Sequence, residues 1–166
     1  MSKRNLLLAA LVALAPQLAS AHVTLDTTEA VAGSYQKIVL RVPHGCAGSP
    51  TTGIRVQIPE GAIAIKPQPK PGWQLSTKQG DYAHHYELHN TPIKSGVKEV
   101  QWSGGSLADE HYDEFVLRAY LAADLSTTEP LRFPVIQECE TGIERWIDQD
   151  ENAAHPAPAL RILPKE

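Results

Sequence analysis

Beyond its first 21 residues this chain has no apolar run approaching the length of a membrane-spanning helix, so no stable membrane insertion is expected there. It has no surplus of positive charge either. Fifteen Lys and Arg stand against nineteen Asp and Glu, for a formal net charge of −4. That balance argues against nucleic acid and anionic membrane surfaces as partners. There is no nucleophile elbow, phosphate loop, zincin helix or pair of carboxylates placed to share a substrate, so no catalytic constellation is expected. No helical stripe emerges, and the thirteen prolines are spread too widely for long helices. Cysteine occurs only twice, at Cys46 and Cys139.

What the chain does have begins at its start. Lys3 and Arg4 precede an apolar run from Leu6 to Ala15, and Ala19-Ser20-Ala21 forms an A-x-A cleavage site. Residues 1–21 read as a secretory signal peptide of the general export type. Cleavage takes Lys3 and Arg4 away, moving the formal charge from −4 to −6, and leaves residues 22–166 as one domain. The product is expected in the periplasm or outside the cell. In that oxidising compartment the two cysteines are expected to pair, closing a loop of about 90 residues for which chain entropy gives roughly 4–5 kcal/mol. The competing reading, soft Cu(I) or Zn ligands, lacks any C-x-x-C spacing to support it.

The body alternates apolar and polar residues with period two. Ile38, Leu40 and Val42 share one strand face; Ile54, Val56 and Ile58 share another. Further strands are expected at Trp73-Leu75, Tyr86-Leu88, Val100-Trp102, Phe115-Leu121 and Leu131-Phe133-Val135. Turn clusters punctuate them, among them Pro43-His44-Gly45, Pro59-Glu60-Gly61 and Ser103-Gly104-Gly105. Short strands at this spacing indicate an all-β sandwich or barrel. From about residue 148 the chain is rich in Ala, Pro and charge and reads as a loop, with Leu160 and Ile162 alternating well enough for a final edge strand.

If cleavage follows Ala21, His22 becomes the N-terminal residue. Its α-amino nitrogen and its Nδ1 can then close one chelate ring on a metal ion. The amine binds as the free base, which costs little near neutral pH because its ordinary pKa is about 7.7–8.0. The plainer alternative is an arbitrary terminus that frays, although Val23-Thr24-Leu25 offers a strand to anchor it. A third ligand is sought in Ala108-Asp109-Glu110-His111-Tyr112-Asp113-Glu114, where Asp109 and Glu110 sit at the mouth of an apolar strand. The alternative there is a solvated acidic turn. His85, Glu87 and His89 share a strand face expected to meet solvent; His44 and His155 look incidental. Trp73 and Trp102 are expected in the core.

Several phrases together carry a resemblance. They are A-H-V-T at 21–24, Ala32-Gly33-Ser34-Tyr35, Pro67-x-Pro69-Lys70-Pro71-Gly72-Trp73, Trp102-Ser103-Gly104-Gly105-x-Leu107-x-Asp109 continuing to Phe115, and Gln137-x-Cys139 with Trp146. They resemble the YcnI-like family of exported bacterial copper-binding domains, over nearly the whole chain after the leader. The resemblance implies an immunoglobulin- or fibronectin-like β-sandwich and a copper site called a mono-histidine brace. Carried over, His22 would supply two nitrogens and Asp109 the carboxylate, where better-known members carry Glu. Glu110 is the substitute ligand. Trp146 would pack beside the metal without bonding it.

Three functions follow. The first is a copper carrier or buffer holding one Cu(II) per mature chain, with a copper-transfer protein or a membrane copper transporter as partner. The second is a copper-dependent oxidase resembling the lytic polysaccharide monooxygenases, which needs a second imidazole that only His111 could provide. The third is an interaction sandwich with no metal.

Overall fold

The computed structural model describes residues 22–165; the expected signal peptide, residues 1–21, lies outside the described residues. Every regular element among them is a strand. One sheet runs β1 (Thr24–Leu25), β3 (Tyr35–Val42), β8 (Asp113–Leu121), β5 (Ala62–Pro67). The facing sheet runs β11 (Ile143–Trp146), β10 (Val135–Cys139), β4 (Thr51–Gln57), β7 (Thr91–Leu107), β6 (Gln74–Leu88). A small third sheet sets β12 (Ala159–Leu163) between β2 (Glu29–Val31) and β9 (Leu131–Arg132).

The period-two pattern explains the sandwich. Leu40, Val42, Phe115 and Leu117 project inward from the first sheet, and Ile54, Val56, Val100, Trp102 and Val135 from the second. Trp102 is fully buried, as expected, and stands edge-on to Phe115 with ring centroids 5.6 Å apart. Its indole N–H donates to the Gln68 carbonyl at 2.9 Å, so a large apolar ring is buried without orphaning its one donor. The expected disulfide joins Cys46 to Cys139.

Four expectations are corrected. Leu131-Phe133-Val135 does not form one strand: Leu131–Arg132 belongs to the small sheet and Val135–Cys139 to the large one. The chain changes sheets at Pro134, whose missing N–H cannot continue a ladder. Ser103-Gly104-Gly105 is not a turn but an irregularity within β7, where Gly53 pairs with Ser103 while Thr51 pairs with Leu107. The strands expected at Trp73-Leu75 and Tyr86-Leu88 merge into one, β6, which begins just after Trp73 and runs through polar residues that alternation does not mark. The last strand is central in its sheet rather than an edge, with Leu160 and Ile162 buried.

Trp73 is only partly buried, packed edge-on to Phe115 at 4.9 Å. It lies so close to β7 that a Cβ added at Gly105 would come 2.1 Å from its indole Cε2. Gly105→Ala must therefore push the ring off Phe115, and urea unfolding is expected to show a loss of about 1–3 kcal/mol.

Behind the β6–β7 hairpin, Glu60 accepts from Lys98 and from the Tyr86 hydroxyl, the latter at 3.0 Å. Burial works to raise the Glu60 carboxyl, but the hydrogen bonds from Lys98 and Tyr86 prevail and hold it below its ordinary value of 4.5. Burial and the neighbouring carboxylate push Tyr86 up to about 12. The Glu60 contribution to stability is thus complete above its unfolded pKa and lost as pH falls through its lower folded value. The Tyr86 contribution is complete below about 10 and lost as pH rises towards 12. In chemical-denaturation series across pH, Glu60→Gln should flatten the acid flank and Tyr86→Phe the alkaline one.

Candidate metal centre

Strand register decides which residues meet. Thr24 pairs with Arg41, so the chain before it runs alongside Val42 and Pro43. Val42 in turn pairs with Asp113. The backbone therefore brings His22, the 43–50 loop and the 108–112 loop to one end of the first sheet. Val23 and Leu25 are almost wholly buried, which anchors the segment that carries His22.

The two loops are tied together. The Gly45 N–H donates to Asp109 Oδ1 at 2.9 Å. Position 45 admits nothing larger than glycine, because a Cβ there would lie 2.0 Å from the Ser49 carbonyl oxygen. Close backbone approach is thus what lets Asp109 seat on this loop. One carboxylate oxygen of Asp109 is occupied in this way and the other carries no protein hydrogen bond among the described residues.

His22 is half-buried. Its ring meets Trp146 edge-on, with centroids 5.4 Å apart and planes at 76°. His22 Nε2 lies 3.2 Å from the Ala154 carbonyl oxygen. A carbonyl oxygen only accepts, so this contact assigns the hydrogen to Nε2 and leaves the lone pair of the neutral ring on Nδ1. Nδ1 is the nitrogen that can chelate together with the α-amino group.

Trp146 is itself fixed. Its indole N–H donates to Gln137 Oε1 at 3.0 Å, and Gln137 Nε2 donates to the His44 carbonyl at 2.7 Å and to Thr51 Oγ1 at 2.8 Å. Gln137 is 1% exposed, a buried amide whose oxygen and nitrogen both find partners. His155 flanks Trp146 at 5.2 Å and sets Nε2 3.2 Å from Glu144 Oε2. His44 contributes a backbone carbonyl rather than its ring to this network.

Sequence reasoning placed His22, Asp109 and Trp146 in one site, and the fold gathers His22 with Trp146 and brings Asp109 to the same end. Glu110 and His111 are exposed. His85 and Glu87 face solvent, while His89 leaves that face for a turn and approaches the Tyr35 hydroxyl at 3.2 Å. Among the described residues, no three His, Cys, Asp or Glu side chains converge as a metal cage. Two nitrogens from one residue would lower the number of side chains required. The donors fit a small nitrogen–oxygen site, one imidazole with its chelating nitrogen free and one carboxylate with an oxygen to spare.

The sequence assigns no role to Gln137 beyond its place in a family phrase, and His155 looks incidental there. Gln137 had a signal, a polar residue at an inward position of a strand; His155, in an Ala/Pro-rich loop, had none.

The family model described as a domain of unknown function, DUF1775, matches residues 22–162, and the chain belongs to that family. Its match begins at His22. The chain is 35% identical over 139 residues to the "Copper-binding protein CutI" of Bacillus subtilis (strain 168), covering 82% of this chain and 61% of that protein. It thus spans about three-fifths of that relative's length. It is also similar in structure to an uncharacterised protein from Nocardia farcinica described as having an immunoglobulin-like fold. The TM-score there is 0.60 at 22% identity, covering 85% of this chain and 97% of the other. The immunoglobulin-like sandwich with one disulfide expected from the sequence is the fold observed. No helix among the described residues is long and apolar enough to cross a membrane.

Replacing Gln137 by Leu would strand the Trp146 N–H in the interior and take a partner from the Thr51 hydroxyl and the half-buried His44 carbonyl. At roughly 1–3 kcal/mol for a buried orphaned donor, denaturant unfolding should show a loss of at least about 1–3 kcal/mol. The near-ultraviolet circular dichroism of the indoles should weaken in parallel.

Proposed function

We propose that this protein is an exported copper carrier or buffer that holds one Cu(II) at its mature N-terminus. The observation that carries the reading is the His22 Nε2 contact with Ala154, which leaves Nδ1 to chelate beside the α-amine. Asp109, arriving at the same end on the loop clasped by Gly45, is the carboxylate ligand, and Glu110 is its substitute. Trp146 holds the imidazole by edge contact and forms no bond to the ion. The similarity to a relative named for copper binding supports the choice of metal.

The donor chemistry supports the oxidation state. Imidazole, amine and carboxylate suit Cu(II), whereas Cu(I) prefers thiolate and thioether. Both cysteines are spent in the disulfide, and the single methionine is Met1, within the expected leader. Reduction would therefore weaken the hold on copper, which favours hand-over to a copper-transfer protein or membrane copper transporter over repeated redox turnover. We place the protein in the periplasm or outside the cell, and read it as a carrier and not an enzyme.

Electron paramagnetic resonance of the processed chain titrated with Cu(II) tests this. One equivalent with nitrogen hyperfine structure is expected, and His22→Ala or retention of residues 1–21 should abolish it. Asp109→Ala should weaken binding by at least the roughly 10–100-fold that loss of an outer partner costs, with Glu110→Ala nearly silent. Undiminished affinity in a chain that keeps its leader would overturn the reading.

A further inference from the structure

Across the outer face of the first sheet, three cations stand abreast. Lys37 on β3 pairs directly with Arg118 on β8, and Arg118 pairs directly with Lys66 on β5. Neighbouring strands lie about 4.8 Å apart, so the row spans about 10 Å. Like charges placed directly opposite one another destabilise a sheet. No carboxylate relieves them: among the described residues none of the three makes an ion pair. Six other Lys and Arg side chains do pair with carboxylates, among them Arg55–Glu138, Lys70–Asp113 and Lys78–Glu99. Lys94, Arg132 and Arg145 also stand without an ion pair among the described residues, but not abreast of one another.

The row also lines a cavity of about 350 Å³, whose walls include Tyr35, Gln68 and Val116 but no carboxylate. Arg118 is held in place there. Its guanidinium carbon sits 3.8 Å from the centre of the Tyr35 ring, which is braced edge-on by Tyr120 at 5.1 Å. Stacking orients the guanidinium fork while leaving its N–H edges free, the state in which arginine recognises oxyanions. Pro43, beside His22 and just past the end of β3, lies six residue steps from Lys37, so about 20 Å divides this cavity from the proposed metal centre.

We infer that this cavity is a binding site for a small polyvalent oxyanion, a phosphate ester or a polycarboxylate, whose charge satisfies the Lys37–Arg118–Lys66 row. The volume lies in the range of small-molecule pockets, roughly 300–1,000 Å³. The net negative charge of the whole chain disfavours extended anionic polymers at long range, whereas a small anion meets the local field of three cations.

The test is calorimetric titration of the metal-free protein with inorganic pyrophosphate, and separately with citrate, at low ionic strength. Saturable one-site binding is expected, weakened at least tenfold in a Lys37→Gln/Lys66→Gln variant, and the tighter ligand identifies the class of anion. Without anion the same variant should melt higher than the parent, because the repulsion is gone. Neither ligand binding saturably, equal binding by the variant, or a lower melting temperature for it would each overturn the inference. Copper titration of the variant should match the parent, so this site and the metal reading fail separately.

Discussion

A single buried amide, the side chain of Gln137, ties Trp146 and Thr51 on the two flanking strands to the loop at His44. It receives the Trp146 N–H from the neighbouring strand and gives its own hydrogens to Thr51 and to the His44 carbonyl. Two residues further on, Cys139 fastens the same strand to Cys46. The loop that seats Asp109 is therefore gripped twice, covalently at Cys46 and polarly at His44. In a sandwich interior, where unpaired polar groups cost more than paired ones gain, such a network fixes one arrangement and penalises the others. The edge that Trp146 offers His22 is set by it.

Much of this was legible. Strands whose inner face is apolar and outer face polar, β3, β4 and β8, declare themselves by alternation because one side is wet. What alternation hides is a strand that changes sheets or is polar on both faces. Leu131 to Val135 keeps its period across Pro134, since both halves still face the same core, yet the halves hydrogen-bond to different partners. β6 is largely exposed and so offers little pattern to read. The Ser-Gly-Gly at 103–105 reads as a turn by composition, but its glycine at 105 serves an approach of the Trp73 ring that no local rule reveals.

Of the candidate site, the sequence marks what attaches to a position and hides what depends on tertiary contact. His22 is conspicuous because of the A-x-A before it, and Asp109 through a resemblance to a family. That the His22 ring turns its Nε2 to Ala154 depends on a loop more than a hundred residues away. His155 meets Trp146 from that same loop, with only an Ala/Pro-rich context to announce it. The cation row was invisible for a similar reason: Lys37, Lys66 and Arg118 are unremarkable singly and significant only once three strands are aligned.

The terminal ligand proposed for His22 poses a physical problem, since chain ends fray and a frayed chelator must be ordered at the moment of binding. Here β1 has only two residues, too few for its hydrogen bonds alone to hold it. Burial does the anchoring instead: Val23 and Leu25 are 1% and 3% exposed, and each such side chain contributes roughly 1.5–3 kcal/mol. Arg41 adds a hydrogen bond to the Leu25 carbonyl at 2.9 Å. The imidazole adjoining this segment is thus oriented before any ion arrives, by a buried neighbour on one side and the Trp146 ring on the other. In the proposed copper site, an imidazole held in this way and a carboxylate that reaches the same end only through folding would make metal affinity a property of the folded state. On that reading, whatever loosens the Gln137 network or the disulfide should weaken the proposed site without touching a ligand.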